Sequence, residues 1–292
     1  MKKIIIGLAS FLGAILLILV VIGAVRGIYQ KRTAETKEFK ITESYNKIEI
    51  DVETYNINIH LSDTGENKAV YKDQKKNYLV LKVENETLKI EQQDNRKFYE
   101  KFFSFDGYDL DLYLTKSVLE LLDIESTTGS IEINKGFQFN NVQMETTTGN
   151  IDFLSKVTNQ TDIEVTTGNI KLVDCETLGD VEIESSTGNV TLENCNPNSL
   201  SVEVSTGKTK LINVIVTNNI NIEGSTGDVI FDGIDAANIY VELSTGDVEG
   251  TILSSKFFVA KSDTGDVDVP ETREGGECRI RVSTGDIDIS YK

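Results

Sequence analysis

The sequence predicts an all-β protein: a parallel β-solenoid of about nine coils of 19–20 residues, preceded by an N-terminal transmembrane helix. Three observations carry this. A phrase of the form Ser/Thr-Thr-Gly-Asp/Asn-Ile/Val recurs from Thr127-Thr128-Gly129-Ser130-Ile131 to Ser283-Thr284-Gly285-Asp286-Ile287. Its nine glycines, at 129, 149, 168, 188, 207, 227, 246, 265 and 285, are 19 or 20 residues apart, a fixed period that marks a stacked repeat array. Apolar and polar residues alternate with period two between them, as in half-buried strands.

Composition agrees. The 292 residues are rich in Ile, Val, Thr, Asn, Asp and Glu, with two prolines and no tryptophan, which suits strands joined by tight turns. The formal net charge is -18, and the five basic residues up to position 32 flank the first apolar segment, so the rest is more acidic still. Such a surface repels nucleic acid and anionic lipid and attracts cations or basic polymers. Three cysteines are too few for a disulfide framework.

Taken in order, residues 1–27 read as a membrane anchor. Ile4 to Val25 carries no charge, and Ser10 is its only polar side chain. At about 1.5 Å per residue a helix of that length spans roughly 33 Å, enough to cross a bilayer core. A cleaved signal peptide has a shorter apolar region, about 7–15 residues, so an uncleaved anchor is expected. Lys2 and Lys3 precede the run and Arg26, Lys31 and Arg32 follow it. Positive charge on both flanks leaves the positive-inside rule undecided. Residues 28–40 are polar and charged and read as a tether.

Residues 41–115 read as a strand-rich cap, which a solenoid needs over its first coil. Lys47–Val52 and Asn56–Leu61 alternate; Leu79–Val83 and Leu88–Ile90 flank a Glu84-Asn85-Glu86-Thr87 hairpin turn. Asp94 to Gly107 is charged and aromatic and reads as a loop. Tyr108–Leu114 is a further strand, expected to deliver the chain to the first repeat.

Residues 116–292 are the solenoid. With the glycines in register, apolar columns emerge at two after Gly (Ile131 to Ile287), four after it (Ile133 to Ile289), and five and seven before it (Ile124 to Ile280, Leu122 to Cys278). Each repeat is then strand, Thr-Gly turn, strand and corner. Its apolar face is buried only by stacking coil on coil at about 4.8 Å. Glycine suits a turn with φ > 0, and Pro197 and Pro270 fall at corners.

Several columns invite chemistry. Four before Gly stand Glu125, Glu145, Glu164, Glu184, Glu203, Glu223 and Glu242, then Lys261 and Arg281: a stripe that binds cations or basic ligands, or else a solvated face that blocks edge-to-edge aggregation, the plainer reading. After Gly come Asn150, Asn169 and Asn189, then Asp228, Asp247, Asp266 and Asp286; turn chemistry is preferred there to a calcium site, since no calcium-loop motif is present. The threonines before Gly form a hydroxyl ladder. Cys175 and Cys195 are equivalent residues of neighbouring coils, within disulfide range, yet their column is apolar, as is that of Cys278, so buried thiols are expected. His60, the only histidine, reads as a solvated strand residue. No catalytic, cofactor or metal residues are assigned.

A lysine-led apolar segment, alternating strands and tandem strand–(S/T)-T-G-(D/N)-(I/V)–strand units together resemble the bacterial putative-adhesin family of β-strand-repeat envelope domains. The resemblance covers roughly residues 40–292 and is clearest from Ser126 to Ile289. The Leu-Pro that often precedes the family's repeats is Leu114-Thr115 here. The resemblance implies a non-enzymatic solenoid on the outer side of the cell membrane, anchored by a single pass and adhesin-like. Some of the family's members stand beside envelope-stress signalling systems, which gives an accessory protein of stress sensing as the alternative. A glycan-processing β-helix enzyme is the remote third. A cell-envelope polymer or a membrane protein is the expected partner, with no nucleic acid.

Overall fold

The computed structural model describes residues 34–97, 107–176 and 178–292. The expected membrane segment Ile4–Val25 and the charged, aromatic stretch 98–106 lie outside them. Every regular element among the described residues is a strand, and none of them forms a helix long and apolar enough to cross a membrane.

Alternation delivers five of the first seven strands close to where the sequence places them, and those at Glu35–Lys40 and Lys68–Asp73 are additional. The seven are β1 (Glu35–Lys40), β2 (Lys47–Val52), β3 (Tyr55–Leu61), β4 (Lys68–Asp73), β5 (Asn77–Glu84), β6 (Thr87–Asp94) and β7 (Tyr108–Leu114). The turn between β5 and β6 places Asn85 and Glu86 at φ 51° and 59°, which matches the right-handed twist of a hairpin. One correction concerns the tether: Glu35–Lys40 is not a free linker but an edge strand, antiparallel to β4. Its side chains are mostly exposed, so it carries no buried face for a pattern to reveal.

The repeats form coil after coil: β8 (Val118–Thr128) with β9 (Ile131–Ile133), β10 (Gln138–Thr148) with β11 (Ile151–Phe153), β12 (Lys156–Thr167) with β13 (Ile170–Val173), and β14 (Leu178–Thr187) with β15 (Val190–Glu193). They continue as β16 (Pro197–Thr206) with β17 (Thr209–Ile212), β18 (Asn219–Thr226) with β19 (Val229–Ile234), and β20 (Asn238–Thr245) with β21 (Val248–Ile252). The last are β22 (Lys256–Thr264) with β23 (Val267–Asp268), and β24 (Gly276–Thr284) with β25 (Ile287–Tyr291). All neighbours within the coils are parallel, giving one 12-stranded and one 13-stranded sheet face to face. The apolar columns fill the space between them: Leu122, Val142, Val181, Leu200 and Ile220 on one sheet, Ile133, Phe153, Leu172, Leu192 and Leu211 on the other, all buried. Each such side chain contributes roughly 1.5–3 kcal/mol of transfer free energy.

The solenoid has about eight full turns rather than nine, because one repeat, β22/β23, is a partial coil with a two-residue second strand; at the ends the coils also do not stack in sequence order. At the C-terminal end the last repeat, β24/β25, slides between β20/β21 and the penultimate repeat, β22/β23. The ninth repeat by sequence is thus buried, and the eighth becomes a partial outermost coil with a two-residue second strand. Hydrophobicity accounts for the choice. The inserted coil offers Cys278, Ile280, Val282, Ile287 and Ile289, whereas the outer one offers Phe258, Ala260, Ser262, Val267 and Val269 at the equivalent places, so four of the five positions are more apolar or larger in the inserted coil. Enclosing the richer coil removes more apolar surface from water. Gly275 and Gly276 let the chain squeeze in: a Cβ on Gly276 would lie 1.7 Å from the Ala237 carbonyl oxygen, and one on Gly275 1.9 Å from that of Ser255.

The N-terminal end is interleaved too. The coil β2/β3 abuts β8/β9, and β6/β7 lies outside it, so Tyr108–Leu114 does not hand the chain to the first repeat's neighbour position. Beyond β7 the sheet continues antiparallel through β4 to β1, and beyond β6 through β5. Buried Tyr45, Tyr55, Tyr71 and Tyr108 fill this cap, and Tyr55 donates its hydroxyl hydrogen to the Lys72 carbonyl at 2.8 Å. Burial pushes the Tyr45 hydroxyl up to about 12.

Candidate functional site

Strand alternation turns every second residue of the longer strands outward, and parallel register then lines like residues up across coils. The glutamate column of the sequence is such a ladder. In spatial order it reads Glu91, Asp51, Glu125, Glu145, Glu164, Glu184, Glu203, Glu223, Glu242, Arg281, Lys261. Nine carboxylates follow one another before the two cations. Glu91 and Asp51 were not visible as members, since their strands carry no Thr-Gly phrase; only the alternation of Lys47–Val52 hints at them. Glu182 and Asp162, two residues earlier on their strands, add charge beside the stripe. Partial burial and then the charges of Glu164, Glu203, Glu182 and Asp162 raise the Glu184 carboxyl above its ordinary value. Depressions along this face are shallow and open, lined by Glu164, Glu184, Glu203, Ser186 and Ser205 in one case.

The next ladders are structural by their bonding. The Asn or Asp after each glycine accepts a hydrogen bond from the backbone N–H of its counterpart one coil on: Asn150 from Asn169 at 2.9 Å, Asn169 from Asn189 at 3.0 Å, Asp247 from Asp286 at 2.8 Å, Asp286 from Asp266 at 2.8 Å. Lys208 interrupts the column and pairs with Asp228 at 2.8 Å, and that hydrogen bond holds the Asp228 carboxyl below its usual range. The threonines before glycine are in register and exposed. A second side-chain ladder, which the sequence pattern did not single out, marks the opposite corner. There Asp174, Asn194 and Asn213 all have φ between 50° and 55°, and Asn194 donates to Asp174 at 2.9 Å. Asn and Asp tolerate that left-handed conformation best among non-glycine residues, which is the signal in the sequence.

The remaining candidates stay apart from one another. His60 Nδ1 is 2.9 Å from Asn134 Nδ2, and its ring stacks on Tyr113 at 5.2 Å. Cys175, Cys195 and Cys278 are buried free thiols. Burial pushes the Cys278 thiol up to about 12, and the neighbouring Cys195 thiol, with burial, raises Cys175. Among the described residues no three His, Cys, Asp or Glu side chains converge to hold a metal ion. The sequence also gave no warning of an ion pair made by a buried lysine: Lys256 Nζ, at the start of the outermost coil, reaches half-buried Asp235 Oδ1 at 2.7 Å and Ser254 Oγ.

Comparison with known proteins places this geometry. The family model described as Toastrack DUF4097 matches residues 45–177 and 159–292. A crystal structure of a putative adhesin from Parabacteroides distasonis is 12% identical, covers 88% of this chain and 97% of its own, and superposes with a TM-score of 0.52, which shows a shared fold. A putative adhesin from Parabacteroides merdae is 13% identical over 88% of this chain and 96% of its own, with a TM-score of 0.47. No curated protein matches the chain.

Proposed function

The chain belongs to the Toastrack DUF4097 family, and on that premise we propose that it is a membrane-anchored, extracytoplasmic solenoid acting as a non-enzymatic, adhesin-like binding or structural module of the bacterial cell envelope. The observation that carries this is the uninterrupted acidic ladder on a stiff sheet face. Evenly repeated charge suits a repeating, positively charged partner, such as a cationic envelope polymer, because each coil offers the same contact about 4.8 Å from the last. A catalytic centre needs unlike groups converging on one point, and this face has like groups spread along a line. The Parabacteroides distasonis relative of the same fold is named a putative adhesin, which accords with the reading. The apolar run Ile4–Val25 supports attachment to the membrane.

The test joins topology to binding. Protease added to intact cells is expected to remove a C-terminal tag. Envelope fractions are expected to retain the chain in a salt-sensitive way, and to keep doing so when Ile4–Val25 is replaced by an unrelated spanning segment. A protected tag, or binding that follows the native segment instead of the solenoid, contradicts the proposal; the second outcome favours a signalling accessory.

A further inference from the structure

The two ends of the solenoid are finished differently. At the N-terminal end antiparallel strands β1, β4 and β5 extend both sheets past the last coil. At the C-terminal end the coil β22/β23 is outermost, with no further strand in either sheet among the described residues. One of its edges is blunted, since β23 has two residues and Pro270 follows shortly. The other is not. β22 is nine residues long and presents Phe257 and Val259, 47% and 38% exposed, beside half-buried Phe258 and Ala260. An apolar edge strand of this length pairs readily with another strand.

We infer that this edge joins a second copy of the same chain, tail to tail, through antiparallel pairing of β22 centred on Val259. The sequence of the edge is self-complementary in that register. Val259 meets Val259 of the second copy; Phe258 meets Ala260, large against small on the core side; Phe257 meets Lys261 on the outer side, where a cation rests against an aromatic face. Charge selects the same end. The acidic ladder would oppose the approach of two copies, but it gives way to Arg281 and Lys261 at this end alone. At the other end it finishes in Asp51 and Glu91. A two-fold contact also closes on itself, so it buries both edges without seeding a filament.

Light scattering of the full chain in detergent micelles gives the test. The unsubstituted chain is expected to carry two copies per micelle at micromolar concentration. Val259→Glu sets like charges face to face across the two-fold while standing beside Arg279 in its own sheet, so it is expected to give monomers whose urea unfolding matches that of the unsubstituted chain diluted until it dissociates. Val259→Lys is expected to give monomers too, and mixing the two variants to restore the dimer. Amide exchange of Phe257–Lys261 in the unsubstituted chain is expected to slow as concentration rises. A chain that is monomeric throughout, a dimer that survives Val259→Glu, a failure of the mixture to reassociate, or exchange indifferent to concentration overturns the inference.

Discussion

Replacing Gly207 by alanine is expected to destabilise the solenoid by more than about 3 kcal/mol, while Thr206→Val, one residue away, changes stability by no more than about 0.5 kcal/mol. Two effects add at Gly207. Its φ of 149° lies where L side chains rarely go, at a cost of order 1–3 kcal/mol. The larger effect is the stacking of coils. A Cβ there would stand 1.8 Å from the carbonyl oxygen of Gly188 in the coil before, and the same near-contact repeats up the glycine column. Backbone cannot yield as a side-chain tip does, so the spacing of two coils must open and the hydrogen bond from Gly207 N–H to the Thr226 carbonyl, 2.9 Å, suffers with it. Thr206 points outward and is exposed. Urea unfolding of the two variants measures the difference; equal losses would remove both the strain and the stacking from the explanation.

Asp235→Ala is expected to cost about 3–5 kcal/mol, the usual penalty for leaving a buried charge alone. Lys256, 3% exposed, takes Asp235 as its anionic partner, and Ser254 supplies only a hydroxyl. The pair ties the first residue of the outermost coil to the corner before β20, across the inserted β24/β25 coil. Its loss is therefore expected to loosen residues 256–292 first. Replacing both partners, Asp235→Leu with Lys256→Met, is expected to recover most of the stability, since no uncompensated charge is left. The pair also sets a pH dependence. Burial opposes the Asp235 charge, but hydrogen bonds from Lys256 and Ser254 and the Lys256 charge outweigh it and hold the carboxyl below its ordinary value. Its contribution is therefore fully present above the unfolded value of about 3.9 and is lost as pH falls through the lower folded value. Acid unfolding followed in the double variant should lack that component.

Much of this was legible in the sequence, and the physical reason is the repeat. Period-two alternation fixes which side chains face inward, and the constant interval fixes which residues stack, so the glutamate, asparagine and threonine ladders follow from counting. What alternation cannot give is the order of coils. Ile280 and Ala260 occupy the same column, and either repeat fits beside Val241. The difference lies in how much each buries, together with Gly275-Gly276, whose lack of side chains matters only once the chain has to pass between two backbones. The coil β2/β3 was hidden for a related reason: Tyr55 lies beneath Gly129 where a glycine of the phrase would otherwise lie, so the motif is missing though the geometry persists. β1 escaped because its side chains are mostly exposed. Among candidate sites, the ladders beside the glycines were legible; the Asp174–Asn194 corner ladder was not singled out, and neither was the Lys256–Asp235 pair, which joins residues 21 apart across an insertion that the sequence order conceals.

The interleaved end is where the architecture departs most from a chain simply wound in order, and crosslinking tests it directly. Thr245 and Thr284 are paired in neighbouring strands, as are Thr264 and Thr284, whereas Thr245 and Thr264 have the inserted coil between them. Disulfide formation under mild oxidation should be efficient for Thr245→Cys combined with Thr284→Cys, at the roughly 4.8 Å of adjacent strands, and absent for Thr245→Cys combined with Thr264→Cys, at about twice that. Efficient bonding of the 245–264 pair with none in the 245–284 pair would mean that the coils stack in sequence order and would contradict the account.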